Sequence, residues 1–255
     1  MSTLHRPARY PNDAVVLVYS MCGNRIAPGG IKVACCWELY PEMHFFMGDQ
    51  GAAGAVQVTH QCVEACQHVS THNRFSKEYY EEQLPDRPID RLLPLAIDTV
   101  RFRPLSTSLC REKHGIPMDA TVGWWSGTTH PMKGFDMVVN YAKENPDIYW
   151  IIGWKQPSDR GDASMLKGKE YCKVPQHMLA ELMNCADFAL FAGRLRPYVI
   201  VEWEAMACGL PVIDITGIER EFVPSSDPRE DVFKHRWDRE TAKGDWLEYI
   251  EALRN

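Results

Sequence analysis

The sequence lacks an uninterrupted apolar run of about 18 residues, which is the length that a helix needs to span a bilayer. Its first residues, MSTLHRPARYPND, lack the apolar centre of a signal peptide. We therefore expect a cytoplasmic protein without a transmembrane segment. A basic surplus is also missing, because the formal net charge is -6. This charge argues against a protein that binds nucleic acid without sequence preference.

The nine cysteines lack the paired spacing of a zinc site or a disulfide framework. Cys62 and Cys66 share one helical face, but no second tight pair accompanies them. Cys35, Cys36 and Cys208 sit within apolar runs. We therefore expect buried free thiols and no metal site.

Short apolar runs are abundant, and they do not alternate with polar residues. Such runs indicate strands covered on both faces, as in parallel sheets. The predicted strands are Ala14–Ser20, Ile31–Cys36, His68–Thr71, Leu92–Ile97, Ala120–Gly127, Ile148–Gly153, Asp187–Gly193 and Pro211–Ile215. Helical spacing is found in Val56–Cys66, Phe75–Gln83, Phe135–Glu144, Gln176–Cys185 and Asp245–Leu253. The alternation predicts an α/β protein with parallel sheets and helices on both faces.

The length of 255 residues allows one large or two small domains. The stretch Thr99–Lys113 is polar, irregular and contains proline, so we predict a hinge between two units there. Ligands of parallel sheets bind beyond the carboxyl ends of the strands. The loops after Gly127, Gly153 and Gly193 are therefore candidate binding loops.

The segment SGTTHPMKGFDMVV joins a predicted strand to a predicted helix, which Lys133 and Gly134 open. A lysine beside the free N–H groups of a helix start suits a phosphate group. The same lysine could be a solvated surface residue, and its spacing alone does not decide between the two.

An acid pair lies within the apolar segment YVIVEWEAMACGLPVI, Tyr198 to Ile213. Pro197 and Gly209 bracket a predicted helix in this segment. Glu202 and Glu204 are two positions apart and therefore point to nearly opposite sides of the helix. We expect one of the two to bind a ligand.

Five segments, taken in order, resemble the C-terminal half of a retaining GT-B glycosyltransferase of family 4. They are PLAIDTVRFRP, GTTHPMKGFD, IYWIIG, VPQHMLAELMNCADFALF and RPYVIVEWEAMACGLPVI, and the similarity covers about Leu92 to Val223. The resemblance implies two Rossmann-like domains with parallel sheets. Residues 1–100 would form a reduced N-terminal, acceptor-side domain, and residues 101–255 a C-terminal domain that binds a nucleotide-sugar.

The resemblance also implies roles for individual residues. Glu204 matches the glutamate that binds the ribose hydroxyls, and Lys133 matches the lysine that binds the donor diphosphate. The loop Lys173–Gln176 matches the segment that holds the base, and Glu202 is expected to be solvated. The implied donor-binding residues are Gly127, Thr128, Lys133, Gly153, Val174, Arg196, Pro197, Tyr198 and Glu204.

The sequence departs from the family pattern at three positions. Arg196 replaces the first glutamate of the E-x7-E motif, and Thr128 replaces an arginine that usually precedes the lysine. Arg196 could bind the diphosphate, could bind an acidic sugar, or could signal lost catalysis. Trp37 and Glu38 stand where many members have a histidine. Arg196 and Glu38 are the catalytic candidates, and Glu38 could equally be a strand-end surface charge.

Two further loops have alternative interpretations. Gly29–Gly30 could be a phosphate loop or a plain turn before a strand, and the β-rich residues that follow favour the turn. His72 and Asn73 follow a predicted strand, where they could touch the acceptor or donor. A role as a loop cap is the plainer interpretation.

The resemblance implies transfer of a sugar, with retention, from a UDP- or GDP-linked donor, with no other cofactor. The acceptor, which could be a glycan, a lipid, a protein or a modified nucleic acid, stays open, as does the oligomeric state. One alternative is a non-catalytic nucleotide-sugar-binding or assembly protein, favoured by the short first domain. Another is a compact glycosyltransferase, of the kind some viruses have, acting on modified DNA bases. It would use a basic stripe formed by His5, Arg6, Arg9, Arg25 and Lys32.

Overall fold

The computed structural model describes residues 9–19, 28–36, 53–54, 56–196 and 198–255. The chain forms two compact units. Unit 1 comprises Met1–Leu95 together with Ala242–Asn255, and unit 2 comprises Ala96–Thr241. The division falls a few residues before the boundary expected after residue 100. The end of the chain, expected in the second domain, belongs to the first unit.

Unit 1 is built on a parallel sheet with the strand order β1-β2-β3-β4. The strands are β1 Val15–Tyr19, β2 Ile31–Cys35, β3 His68–Thr71 and β4 Arg91–Leu92, and the helices are α1 over 56–64 and α2 Arg74–Gln83. The core contains Val63, Val69 and Tyr80 together with three cysteines. The described cysteines are free thiols, as the sequence predicts.

The turn before β2 confirms the favoured interpretation of Gly29–Gly30. Both glycines have positive φ angles of 85° and 71°, and a Cβ on Gly29 would lie 2.2 Å from the carbonyl oxygen of Tyr10. Glycine is required here because only it combines this backbone conformation with so close an approach. Asn73 acts as the cap of α2, since its Oδ1 accepts a hydrogen bond of 2.8 Å from the amide of Ser76.

The helix α8, Arg239–Arg254, explains why the last residues belong to unit 1. Tyr249 packs on Val33 and Leu93, and Trp246 packs against the same small cluster. The indole Nε1 of Trp246 donates to the carbonyl oxygen of Pro94 at 3.3 Å. The sequence predicted only a surface helix over Asp245–Leu253 and missed this packing face.

Unit 2 contains a five-stranded parallel sheet with the order β7-β6-β5-β8-β9. The strands are β5 Val122–Gly127, β6 Tyr149–Trp154, β7 Gly168–Cys172, β8 Phe188–Phe191 and β9 Val212–Asp214. The helices are α3 Thr107–His114, α4 Phe135–Glu144, α5 Gln176–Met183, α6 Ile200–Ala207 and α7 Pro228–Lys234. Trp125, Phe135 and Trp154 pack edge-on or tilted within the core, with ring centroids 4.8–5.5 Å apart.

Candidate functional site

A pocket with a volume of about 310 Å³ lies in unit 2 beyond the carboxyl ends of β5, β6 and β8. Its walls come from those strand ends, from the loops that follow them and from the first turns of α6. This is the position at which parallel α/β sheets bind ligands. The polar or charged side chains that line it are those of Ser126, Thr128, Lys133, Lys155, Glu202 and Arg220.

Lys133 is held at the pocket by a tight turn. Its amide donates to the carbonyl oxygen of His130 at 2.8 Å, and Gly134 follows with a φ of 68°. A Cβ on Gly134 would lie only 1.8 Å from the carbonyl oxygen of Ala192. The glycine after the lysine therefore lets the turn approach the end of β8, which places Lys133 in the wall of the pocket.

Electrostatics at Lys133 favour an anion. Burial lowers the pKa of the Lys133 ammonium, the negative charge of Glu202 counteracts this effect, and the positive charge of Lys155 adds to it. Its Nζ makes no hydrogen bond or ion pair with any residue that the structure describes. An anion bound beside it would offset the desolvation of the ammonium group.

Glu202 is buried, and the expectation that it is solvated is wrong. Its side chain is 7% exposed and lines the pocket, and its Oε2 accepts a hydrogen bond of 2.9 Å from the amide of Val199. Burial raises the pKa of this carboxyl group, while Arg220, the Val199 amide and Lys133 lower it. Glu202 thus combines a cap of α6 with a place in the pocket wall.

Glu204, the acid matched to a ribose-binding glutamate, lies on a different side of α6. It is 9% exposed, and it is not among the residues that line the pocket. Burial raises its pKa to about 7, and the positive charge of Arg101 partly opposes this rise. Arg101 in turn donates to the side-chain Oε1 of Gln176, at the start of α5. The Glu204 carboxylate receives no hydrogen bond from any described residue, so it is available to accept hydrogen bonds from hydroxyl groups.

The remaining candidates from the sequence are spread over several environments. Gly127 and Thr128 line the pocket with Lys133. Gly153 lies inside β6, where a Cβ would come within 2.8 Å of the Ser126 Oγ on the neighbouring strand. Its lack of a side chain is therefore explained by packing between strands. Val174 is half-buried in the loop before α5.

Tyr198 is a core residue that supports the start of α6. Its hydroxyl group donates to the carbonyl oxygen of Phe222 at 2.8 Å, and its ring packs against Phe191 and Trp203. Arg196 is half-buried, outside the residues that line the pocket. Pro197 and Glu38 lie outside the described part of the chain, as does Trp37.

Lys155 and Arg220 also line the pocket, and no pattern in the sequence pointed to either of them, whereas Glu202 was expected in solvent. Arg220 links β9 to the loop that follows β8. Its Nε donates to Asp214 Oδ2 at 2.7 Å, its Nη2 donates to the carbonyl oxygen of Gly193 at 2.8 Å, and its Nη1 donates to that of Leu195. Arg220 and Gly193 are 27 residues apart in the sequence, so no local pattern could reveal this contact.

Among the described residues, no group of three or more histidine, cysteine or acidic side chains is arranged to hold a metal ion. None of the described helices has the length and apolar character that crossing a membrane requires.

Two units with parallel sheets and a pocket at the strand ends define a Rossmann-like α/β architecture, and the comparisons with solved structures are more specific. Sucrose-phosphate synthase from Thermosynechococcus elongatus is similar over 89% of this chain and 64% of its own, with a TM-score of 0.64 and 18% identity. HepE from Anabaena, in complex with UDP-glucose, is similar over 87% of this chain and 72% of its own, with a TM-score of 0.68 and 14% identity. The chain has the GT-B fold of these glycosyltransferases.

Sequence comparison leads to the same class. The chain is 26% identical over 149 residues, 51% of its length, to a D-inositol 3-phosphate glycosyltransferase of Acidothermus cellulolyticus. It is 27% identical over 130 residues to the enzyme of the same name from Mycobacterium leprae. The match covers about a third of the length of these relatives: 33% and 30%. No protein-family model matches the chain. The resemblance to GT-B glycosyltransferases is confirmed by both comparisons.

Proposed function

We propose that this protein transfers a sugar from a nucleotide-diphosphate donor to an acceptor. The observation that carries the proposal is the pocket of unit 2, where Lys133 lies beyond the carboxyl end of β5 and its ammonium group has no partner in the described part of the chain. Its position is imposed by Gly134, whose conformation and close packing no other residue can reproduce. Relatives named as glycosyltransferases, and a GT-B neighbour solved with UDP-glucose, support the same donor chemistry.

The donor would contact several elements of unit 2. Lys133 and the positive end of the α6 dipole would bind the diphosphate. Glu204 would accept the ribose hydroxyl groups, because its buried carboxylate lacks other donors among the described residues. The loop with Val174 would hold the base through backbone atoms, and the donor would be linked to UDP or GDP. Unit 2 would thus be the donor side, and unit 1 the acceptor side.

Catalysis would depend on stabilising the leaving diphosphate. A preorganised cation in a partly desolvated pocket stabilises negative charge as it develops in the transition state. Lys133 meets this requirement through its position. We propose retention of the anomeric configuration on the basis of the family resemblance. Arg196 and Glu38 remain catalytic candidates, and the acceptor is to be identified by experiment.

A binding and turnover panel tests the proposal. The protein is titrated with UDP, GDP and ADP and then with their sugars, by thermal shift and calorimetry. A ligand at one hundred times its dissociation constant stabilises the folded state by about 2.7 kcal/mol, which is easily measured. Binding together with release of the nucleotide diphosphate supports an enzyme, and nuclear magnetic resonance of the product then reports its anomeric configuration. Binding without any turnover would favour the non-catalytic alternative.

A matched pair of variants ties the panel to the pocket. Lys133→Met should weaken binding of the nucleotide diphosphate by about ten-fold or more, because a charged phosphate contact is lost. Lys167→Met, on an exposed turn before β7 and away from the pocket, removes the same charge and should have little effect. Equal affinities of the two variants would contradict the proposed site.

A further inference from the structure

The cationic side chains that line the pocket differ in whether their N–H groups already donate hydrogen bonds to other residues. Arg220 is held by Asp214 and by the carbonyl oxygens of two residues of the β8–α6 loop. Its charge is therefore largely neutralised by a fixed carboxylate. Lys133 and Lys155 both line the pocket, and neither makes a hydrogen bond or ion pair with a described residue. The charge available for a ligand is that of the two lysines.

Lys155 reaches the pocket from a different strand than Lys133. It directly follows β6, which ends at Trp154 and pairs with β5 in parallel. The loop that carries Lys133 follows β5, so the two lysines extend from neighbouring strand ends. Both side chains line the same pocket, and the positive charge of Lys155 contributes to lowering the pKa of Lys133. Two adjacent cations without a bound anion repel each other, and an anion between them relieves this repulsion.

Among the described residues that line the pocket, one is an acid. Glu202 lines the same wall, and its Oε2 already accepts the amide of Val199. Two lysines against one carboxylate leave an excess of positive charge in the pocket. A diphosphate offers each lysine its own phosphoryl group, so two separate ammonium groups suit two linked phosphates better than a single one.

We propose that Lys155 is the second cation that binds the donor diphosphate, together with Lys133; this inference rests on the proposed function. From the sequence, Arg196 is a candidate for this role, because Thr128 replaces the arginine that usually precedes the lysine. Arg196 lies outside the residues that line the pocket, whereas Lys155 is part of its wall. Lys155 is exposed on the loop after β6, so its long side chain can close over a bound ligand.

Calorimetry with a nucleotide and its nucleoside tests this role. UDP and GDP are first titrated into the parent protein, and the tighter ligand is used with its nucleoside, uridine or guanosine. Four variants are compared: Lys155→Met, Lys155→Arg, Arg196→Met and the charge-matched control Lys167→Met. Lys155→Met should bind the diphosphate about ten- to one-hundred-fold more weakly and the nucleoside with unchanged affinity. Lys155→Arg should recover most of the affinity, and Lys167→Met should bind as the parent does.

The outcomes separate this inference from the proposed function. Parent-like affinity of Lys155→Met for the diphosphate would overturn the inference and leave the proposed function standing. A large loss in Arg196→Met with none in Lys155→Met would also overturn it, in favour of Arg196. Equal losses for nucleotide and nucleoside in Lys155→Met would overturn a phosphate-specific role. A parent protein that binds none of UDP, GDP and ADP would overturn both proposals.

Discussion

Glu204 is a buried carboxylate whose ionisation opposes folding. Its pKa is raised from the ordinary value of 4.5 to about 7, chiefly by burial. The folded state therefore binds a proton more tightly than the unfolded state, and stability is lost as the pH rises from 4.5 to about 7. The full loss is about 3 kcal/mol, since each pH unit between the two pKa values corresponds to about 1.4 kcal/mol.

The variant Glu204→Gln should show this effect in urea unfolding. At pH 8 we expect it to be more stable than the parent by up to about 3 kcal/mol, because the buried charge is gone. At pH 5 the parent is mostly protonated at this position, and the gain should fall below about 1 kcal/mol. The same variant should bind a nucleotide diphosphate more weakly. A stability difference that is the same at both pH values would contradict a buried, ionising Glu204.

The two glutamates of α6 show where reasoning from the sequence was sufficient and where it failed. The segment predicted the helix and one ligand-binding acid, but it left Glu202 to solvent. That expectation assumes one exposed face, whereas every residue from Glu202 to Ala207 is buried. A helix that is apolar on all sides is typically enclosed. The apolar residues around the acid pair were the signal that both carboxyl groups are inside.

The loop between β5 and α4 depends on a single glycine. Gly134→Ala should destabilise unit 2 by more than about 3 kcal/mol. The backbone at this position has a positive φ, and the new Cβ would also collide with the carbonyl oxygen of Ala192. Gly217→Ala is the matched control, since Gly217 has a φ of 66° and open space around its Cβ position. It should lose only about 1 kcal/mol. Equal losses in chemical denaturation would exclude the close approach as the cause.

The loop between β8 and α6 depends on Arg220. Arg220→Met removes the donors to the carbonyl oxygens of Gly193 and Leu195, so amides of this loop should exchange with solvent faster. The amide of Arg194, which donates to the carbonyl oxygen of Met132 at 2.8 Å, is the most direct reporter. Hydrogen exchange of this loop, measured by mass spectrometry in the variant and in the parent, tests the prediction. Unchanged exchange in this loop would show that Arg220 does not hold it.

Most strands were predictable, and the exceptions have physical reasons. The strands β5, β6 and β8 are nearly continuous apolar runs because helices cover both faces of the sheet. The edge strand β7 has the sequence GKEYC and was missed, since an edge strand need not be apolar. The helix α3 was predicted as irregular hinge, although Ser106 caps its start and Gly115 ends it with a φ of 60°. Lys133 could be predicted as a binding residue because Gly134 follows it at a helix start. The places of Lys155 and Arg220 in the pocket depend on tertiary contacts.

Unit 1 is completed by the last helix of the chain. Tyr249 packs on Val33 and Leu93 and donates from its hydroxyl group to Asp90 at 3.4 Å. Tyr249→Ala should destabilise unit 1 by about 3–5 kcal/mol, through loss of a large buried ring. Tyr249→Phe should lose about 1 kcal/mol, because only a long hydrogen bond is removed. Limited proteolysis should show cleavage of unit 1 before unit 2 in the alanine variant, and equal protection of both would contradict this.

The return of α8 to unit 1 has a consequence for synthesis on the ribosome. Domains usually fold in the order in which they leave the ribosome, at about 5–20 residues per second. Here β1–β4 are made first, yet their partner helix follows only after unit 2, residues 96–241. At that speed the nascent sheet remains without α8 for roughly 7–30 s, with Val33 and Leu93 uncovered. We expect unit 2 to mature first and the earlier-made half to need a holding chaperone during that interval.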